Sequence, residues 1–210
     1  MHGINERSKT MNIAIKKNLL IKQLSERNKK LEEKIKALEE HAYWDGMTGL
    51  RNRNFGMFTL ENWLREKKEF SLIFADLDNL KYINDNYGHE EGDNYIISAA
   101  NHLKESFPGS VVCRLGGDEF LLLAPDMQYN EARENMNLVC LNVQHDKHLE
   151  GKEYEYRVSF GIVFVDKDNV LPSSNLLSIA DGRMYENKRM RKYKGRDKGI
   201  ARRPNYAYGQ

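Results

Sequence analysis

Arg114-Leu115-Gly116-Gly117-Asp118-Glu119-Phe120 is the stretch on which the reading of this chain turns. Two apolar runs, Val111 to Leu115 and Glu119 to Leu123, flank the Gly116-Gly117-Asp118 break, which is the pattern of a β-hairpin. Adjacent glycines permit positive φ and let backbone approach a ligand closely. Two acids at a hairpin tip repel each other, and a bound cation would give them a reason to be there. On these residues alone, an ordinary exposed acidic turn is the competing reading.

Working upstream, Ser71 to Ala75 reads as a short buried strand that ends in Asp76-Leu77-Asp78. In a strand, successive side chains point to opposite faces. Carboxylates at a strand end suit a hard cation such as Mg²⁺, which takes a few carboxylates plus phosphate oxygens. Asp78 also reads as an N-cap for a helix over Asn79 to Tyr87, stopped by Gly88. A second helix follows from Glu91 to Phe107, with Ile96, Ile97, Ala100 and Leu103 at helical spacing. Downstream of the hairpin come a helix over Asn130 to His145, a long strand or bent pair of strands over Tyr154 to Val165, and a helix over Leu176 to Lys192. Helices alternating with strands, with a hairpin among them, predict an α/β or α+β layered domain.

Ile13 to Ala42 contains neither Pro nor Gly and is rich in Lys, Glu and Leu. Ala14, Ile21, Asn28, Ile35 and Ala42 fall at heptad position a, and Lys17, Leu24, Leu31 and Leu38 at d. Ile at a with Leu at d favours two parallel strands, and a single Asn at a fixes register and dimer state. A lone amphipathic helix folded on its own domain is the alternative, but the apolar stripe is narrow for a core-facing helix. Gly46 and Gly49 break the pattern, so the expected division is a dimerising helix over 1–43, a catalytic domain over 44–195 and a basic tail over 196–210.

The 210 residues are 40% hydrophobic and 30% charged, with a net charge of +2. That near balance argues against a nucleic-acid-coating protein. The dense Lys/Arg run from Lys188 to Arg203 fits a local anionic partner or a solvated tail. Cys113 and Cys140 lack metal-ligand spacing and fit buried thiols of a reducing cytoplasm. No apolar run is long enough to span a bilayer, and the N-terminus has no signal-peptide core, so a soluble cytoplasmic chain is expected, with any sensor or membrane portion lying upstream.

The motifs form an ordered set. Asp45-Gly46-Met47-Thr48-Gly49-Leu50-Arg51-Asn52-Arg53 precedes Ala75-Asp76-Leu77-Asp78, then Lys81-Tyr82-Ile83-Asn84-Asp85 and Gly88-His89-Glu90-Glu91-Gly92-Asp93. Arg114 to Phe120, Val158-Ser159-Phe160-Gly161-Ile162, and Ala180-Asp181 with Tyr185 and Lys188 complete it. From Trp44 to Gly195 the chain resembles the GGDEF family of diguanylate cyclases, whose naming motif stands at Gly116 to Phe120. The resemblance implies a nucleotidyl-cyclase-like palm with a mostly antiparallel central sheet flanked by helices. It implies condensation of two GTP into cyclic di-GMP, with Mg²⁺ (Mn²⁺ as the alternative) held by Asp76, Asp118 and the carbonyl of Leu77. It makes Glu119 the neighbouring acid and Asn84 and Asp93 the readers of guanine. Lys188 becomes a phosphate contact, with Lys192 one turn on, and the helix start at Leu80 and Lys81 and the turn at Gly116 and Gly117 line the triphosphate. A homodimer, through the N-terminal helix and through face-to-face catalytic domains, is the implied assembly, with no nucleic acid or membrane partner.

The chain departs from the family in three places. Lys192 stands where an Arg is frequent, which keeps charge but loses the bidentate fork. Asn79-Leu80 replaces a pair that is usually aromatic. Phe107-Pro108-Gly109-Ser110 stands where an inhibitory product site would carry Arg and Asp, so that site is absent. Two other functions compete: a GTP-binding module that signals by contact without turnover, and a coiled-coil structural protein with a passive domain. The first usually loses the acids or glycines of the turn, all of which are present here.

Overall fold

The computed structural model describes residues 2–146 and 149–199, with the side chains at 2–15, 36–37, 39–41 and 191–199 left aside. The chain divides into two compact units, 1–42 and 43–210. The first is one helix, α1 (His2–Tyr43), whose last residue begins the second unit. Its seam residues Ile21, Leu24, Leu31, Ile35 and Leu38 are all exposed within the single chain.

The second unit runs β1 (Arg51–Asn52), α2 (Arg53–Arg65), β2 (Phe70–Leu77), α3 (Leu80–Tyr87), α4 (His89–Ser106), β3 (Val111–Gly116), β4 (Glu119–Pro125), α5 (Tyr129–Gln144), β5 (Val158–Val165) and α6 (Ser173–Gly199). Its sheet has the order β1-β3-β4-β2-β5. Every pairing is antiparallel except β1 with β3. The expected mostly antiparallel sheet between helices is thus the observed one.

Both sheet faces are covered, which is why β2 and β5 read as continuous apolar runs rather than alternating ones. Ile73, Ala75, Leu77, Phe120, Leu122 and Ile162 meet Ile83, Tyr95, Ala99, Leu103 and Val139 from α3, α4 and α5. On the other face Leu72, Phe74, Leu121, Leu123 and Val163 meet Leu60 of α2 and Leu176, Ala180 and Met184 of α6. Cys113 and Cys140 are buried thiols, as expected, and burial pushes the Cys113 thiol up to about 12.

Three assignments need correction. No element was assigned to Arg53–Arg65, which is helical. Gly56 lowers the helix propensity of that stretch, but a Cβ there would lie 2.9 Å from Cys113 Sγ, so glycine is what lets α2 sit on β3. The strand expected from Tyr154 begins only at Val158, and the Tyr154 and Tyr156 hydroxyls ahead of it bond Glu91 of α4. Asp78 is not the N-cap of α3. Asn79 takes that place with φ 64°, and no side chain caps the helix.

Candidate active site

The sheet register brings the motifs together. Asp76, the penultimate residue of β2, stands opposite Glu119 at the start of β4 on one side and Ser159 of β5 on the other. Leu77, the last residue of β2, turns fully into the core, and its N–H donates to the carbonyl of Asp118 at 3.1 Å. The acid-bearing strand end and the glycine turn are therefore joined through backbone as well as through the sheet.

The turn itself is tight. A bulge lies between Arg114 and Gly116, and Gly116 and Gly117 adopt φ of 140° and 54°, values that a side chain disfavours. Arg114 holds the turn: its Nε and Nη2 donate to the carbonyl of Gly117 at 3.1 and 2.9 Å. Its Nη1 lies 3.3 Å from Asp45, which also accepts from the Thr48 N–H and hydroxyl at 2.9 and 2.7 Å. Partial burial raises the Asp45 carboxyl, but these hydrogen bonds and the Arg114 charge outweigh it and leave it below the ordinary range.

α6 delivers the cation. Lys188 Nζ donates to Asp76 Oδ1 and lies 3.3 Å from Asp78 Oδ1. Asp78 Oδ2 accepts from Ser159 Oγ at 2.8 Å, while Oδ1 is buried without a hydrogen bond. Burial pushes the Asp76 carboxyl up; Lys188 opposes this, and the charges of Asp118 and Asp78 add to it. Lys188 is itself held above its ordinary value, since its two acid partners outweigh its burial. Two carboxylates share one ammonium, and the charge of Asp118 adds to that of Asp76, so negative charge is in excess around Asp76. No ready-made group of three metal-ligating side chains exists among the described residues. The surplus negative charge around Asp76 nonetheless fits a divalent cation.

The other expected contacts are placed as follows. Asn84 on α3 is half-buried, and Asp93 on α4 is exposed. The two helices meet at Gly92, where a Cβ would lie 1.8 Å from Asn84 Oδ1, so the absence of a side chain at Gly92 makes the seat for the Asn84 amide. Leu80 is buried in the core, which leaves only its backbone to face a ligand, and Lys81 is exposed. The side chain of Lys192 lies outside the described residues. Phe107 is a core residue, and Ser110 N–H closes a turn on its carbonyl at 3.2 Å, so 107–110 builds structure. Sequence reasoning gave no role to Ser159, Asp45, Gly92 or Gly161. Gly161 alone carried a signal, since an isolated glycine in an apolar strand marks close backbone approach.

Gly92→Ala is expected to drive the Asn84 amide from its seat. GTP affinity should fall about tenfold, with a change in melting temperature of only a few degrees, since the substitution also improves helix propensity by about 1 kcal/mol. Unchanged GTP affinity in this variant, measured by titration calorimetry, would disconnect Asn84 from the nucleotide.

A strand-end acid cluster facing a glycine hairpin, on a sheet of this topology, defines a palm-type domain. Residues 42–194 match the model of the diguanylate cyclase GGDEF domain. The chain is 33% identical over 183 residues to the diguanylate cyclase DgcP of Escherichia coli, covering 83% of this chain and 51% of that protein. It is 32% identical to the diguanylate cyclase VdcA of Vibrio cholerae, covering 77% and 48% respectively. The crystal structure of the coiled coil and GGDEF domain of DgcB from Caulobacter crescentus superposes with a TM-score of 0.73 at 21% identity, over 80% of this chain and 92% of that one. The chain belongs to the GGDEF family. It spans about half the length of the curated relatives named here.

Proposed function

We propose that this chain is a diguanylate cyclase that condenses two GTP into cyclic di-GMP and two pyrophosphates. The observation that carries the reading is the pairing of Asp76 and Asp78 with one ammonium, that of Lys188, and the closeness of Asp118, in the intact glycine turn, to Asp76. Relatives of this kind are metal-dependent nucleotide cyclases, and Mg²⁺, with Mn²⁺ as the alternative, is the cation we assign to Asp76, Asp118 and the Leu77 carbonyl. Bound there, the ion would polarise the α-phosphate and lower the pKa of the attacking 3′-hydroxyl. Lys188, released from Asp76, neutralises phosphate charge, with Lys81 and Lys192 reinforcing it. Gly116 and Gly117 let the backbone approach the triphosphate, and Glu119 is the acid adjoining the reacting groups. Asp93 accepts from the N1–H and exocyclic amine of guanine, a donor pair that adenine lacks, and Asn84 completes the contact.

Base choice tests this reading. With equimolar GTP and ATP, the expected product contains guanine alone. Incorporation of adenine would refute the assignment of Asp93.

Each domain holds one GTP, so the two-fold product requires two domains face to face. Pairing through α1 would raise their effective concentration. The exposed seam of Ile21, Leu24, Leu31, Ile35 and Leu38, with Asn28 at an a position, favours a parallel dimer. Sedimentation at about 50 μM should show dimer, short coils being marginal below that; monomer alone would contradict the pairing. No helix among the described residues is long and apolar enough to cross a membrane. We assign the domain to the cytoplasm, where its substrate is.

A further inference from the structure

The α3–α4 elbow carries both expected base contacts, Asn84 and Asp93, and one segment outside the family motifs grips it from both sides. Glu91, in the first turn of α4, accepts from Lys152 Nζ at 2.7 Å on Oε1 and from the Tyr154 hydroxyl on Oε2. The Tyr156 hydroxyl reaches the backbone carbonyl of the same residue at 3.4 Å. The Tyr154 ring also packs on Tyr87, the last residue of α3, with ring centroids 4.3 Å apart. Tyr154 thus touches the end of α3 with its ring and the start of α4 with its hydroxyl. Glu91 directly precedes Gly92, the residue that seats Asn84, and is two residues from Asp93.

The same segment is anchored to the acid-bearing strand. Tyr156 stacks on Tyr95 at 4.1 Å with the rings 5° from parallel. The Tyr95 hydroxyl accepts from the Arg157 N–H at 2.7 Å and donates to the Arg157 carbonyl, with the Asp78 carbonyl 3.3 Å away. The Asp78 N–H in turn donates to the Arg157 carbonyl at 2.8 Å. A continuous path of contacts therefore runs from the elbow, through residues 152–157, to the strand end that holds the carboxylates.

We propose that Glu91, gripped by Lys152 and Tyr154, is a positioning residue that sets guanine selectivity by holding the elbow closed on the base. This rests on the assignment of Asn84 and Asp93 as guanine contacts. The carboxylate touches no substrate and acts by keeping Gly92 against the Asn84 amide and Asp93 in reach of the exocyclic amine. A loosened elbow loses the amine contact first, because that contact depends on the placement of α4.

The test uses the full chain with 3′-deoxy-GTP, which lacks the attacking hydroxyl, and with 3′-deoxyinosine triphosphate, which lacks the exocyclic amine. Wild type should prefer the guanine ligand by about tenfold in Kd, the scale of one lost hydrogen bond to a charged group. Glu91→Ala should weaken 3′-deoxy-GTP by about tenfold and the inosine ligand by less than about twofold, so that discrimination collapses. Tyr154→Phe keeps the ring on Tyr87 and deletes only the hydroxyl, and should reduce discrimination by about threefold. Equal weakening of both ligands in Glu91→Ala would make the clamp merely structural and overturn the inference. If Glu91→Ala fails to fold, unchanged discrimination in Tyr154→Phe overturns it alone. Wild type that binds both ligands equally would instead overturn the guanine-reading assignment beneath it.

Discussion

Asp118→Asn is expected to lower turnover by about a thousandfold or more, the scale seen when a preorganised electrostatic contact to the reacting phosphate is lost. The reason is specific to this site. Asp118 raises the Asp76 carboxyl by its charge, so the two acids oppose each other until a cation joins them. Replacing Asp118 by a neutral amide relieves that repulsion, so the metal-free variant should melt at the wild-type temperature or slightly above. It should also lose the stabilisation that Mg²⁺ gives wild type, because a ligand that binds only the folded state stabilises in proportion to its affinity. Substantial turnover in Asp118→Asn would remove the residue from the metal site. A large fall in melting temperature without metal would show that Asp118 serves the fold.

The second large effect is expected from Gly161→Ala, far in sequence from any acid. A Cβ at Gly161 would lie 2.0 Å from the Ala180 carbonyl and 2.5 Å from the Met184 N–H, both backbone atoms of α6. Backbone cannot rotate away as a side chain can, so α6 must move. Overpacking of this kind costs about 3 kcal/mol, or a fall of roughly 6–12 °C in melting temperature for a domain of this size. Lys188 lies one turn beyond Met184, so displacement of the helix also lifts the ammonium from Asp76 and Asp78, and turnover should fall about a hundredfold. Gly182→Ala is the internal control. It lies on the same helix with nothing within 4 Å of its Cβ, and should be neutral or stabilising by up to about 1 kcal/mol. Equal melting temperatures for the two variants would mean that α6 does not depend on close approach to β5.

The same contrast shows what was legible in the sequence. The hairpin announces itself through paired glycines between apolar runs. Asp76 and Asp78 stand out as acids at the end of an apolar run, and the structure puts Lys188 against both. Helices α3 to α6 were found to within a few residues, except at the C-terminal end of α6, which runs on to Gly199. α2 was missed because Gly56 suppresses the local helix signal for the sake of a tertiary contact with Cys113. Asp78 looked like a cap, because Asp before a helix often is one, yet its oxygens are taken by Ser159 and Lys188, each distant in sequence. Tyr154 and Tyr156 have the spacing of one strand face, and their hydroxyls bond Glu91 of α4 ahead of where β5 begins. In each case the competing contact comes from an element that no local window contains.

The proposed cyclase activity requires the acids around Asp76 and Asp118 to support turnover of GTP. The most direct measurement is to incubate the purified full chain with GTP and Mg²⁺ and to quantify cyclic dinucleotide and pyrophosphate together, with Asp118→Asn alongside. Cyclic di-GMP is expected, with two pyrophosphates released per product molecule, and neither from the variant. Saturable GTP binding by the wild-type chain with no cyclic product, under conditions where it is dimeric, would contradict it and leave a module that signals by contact.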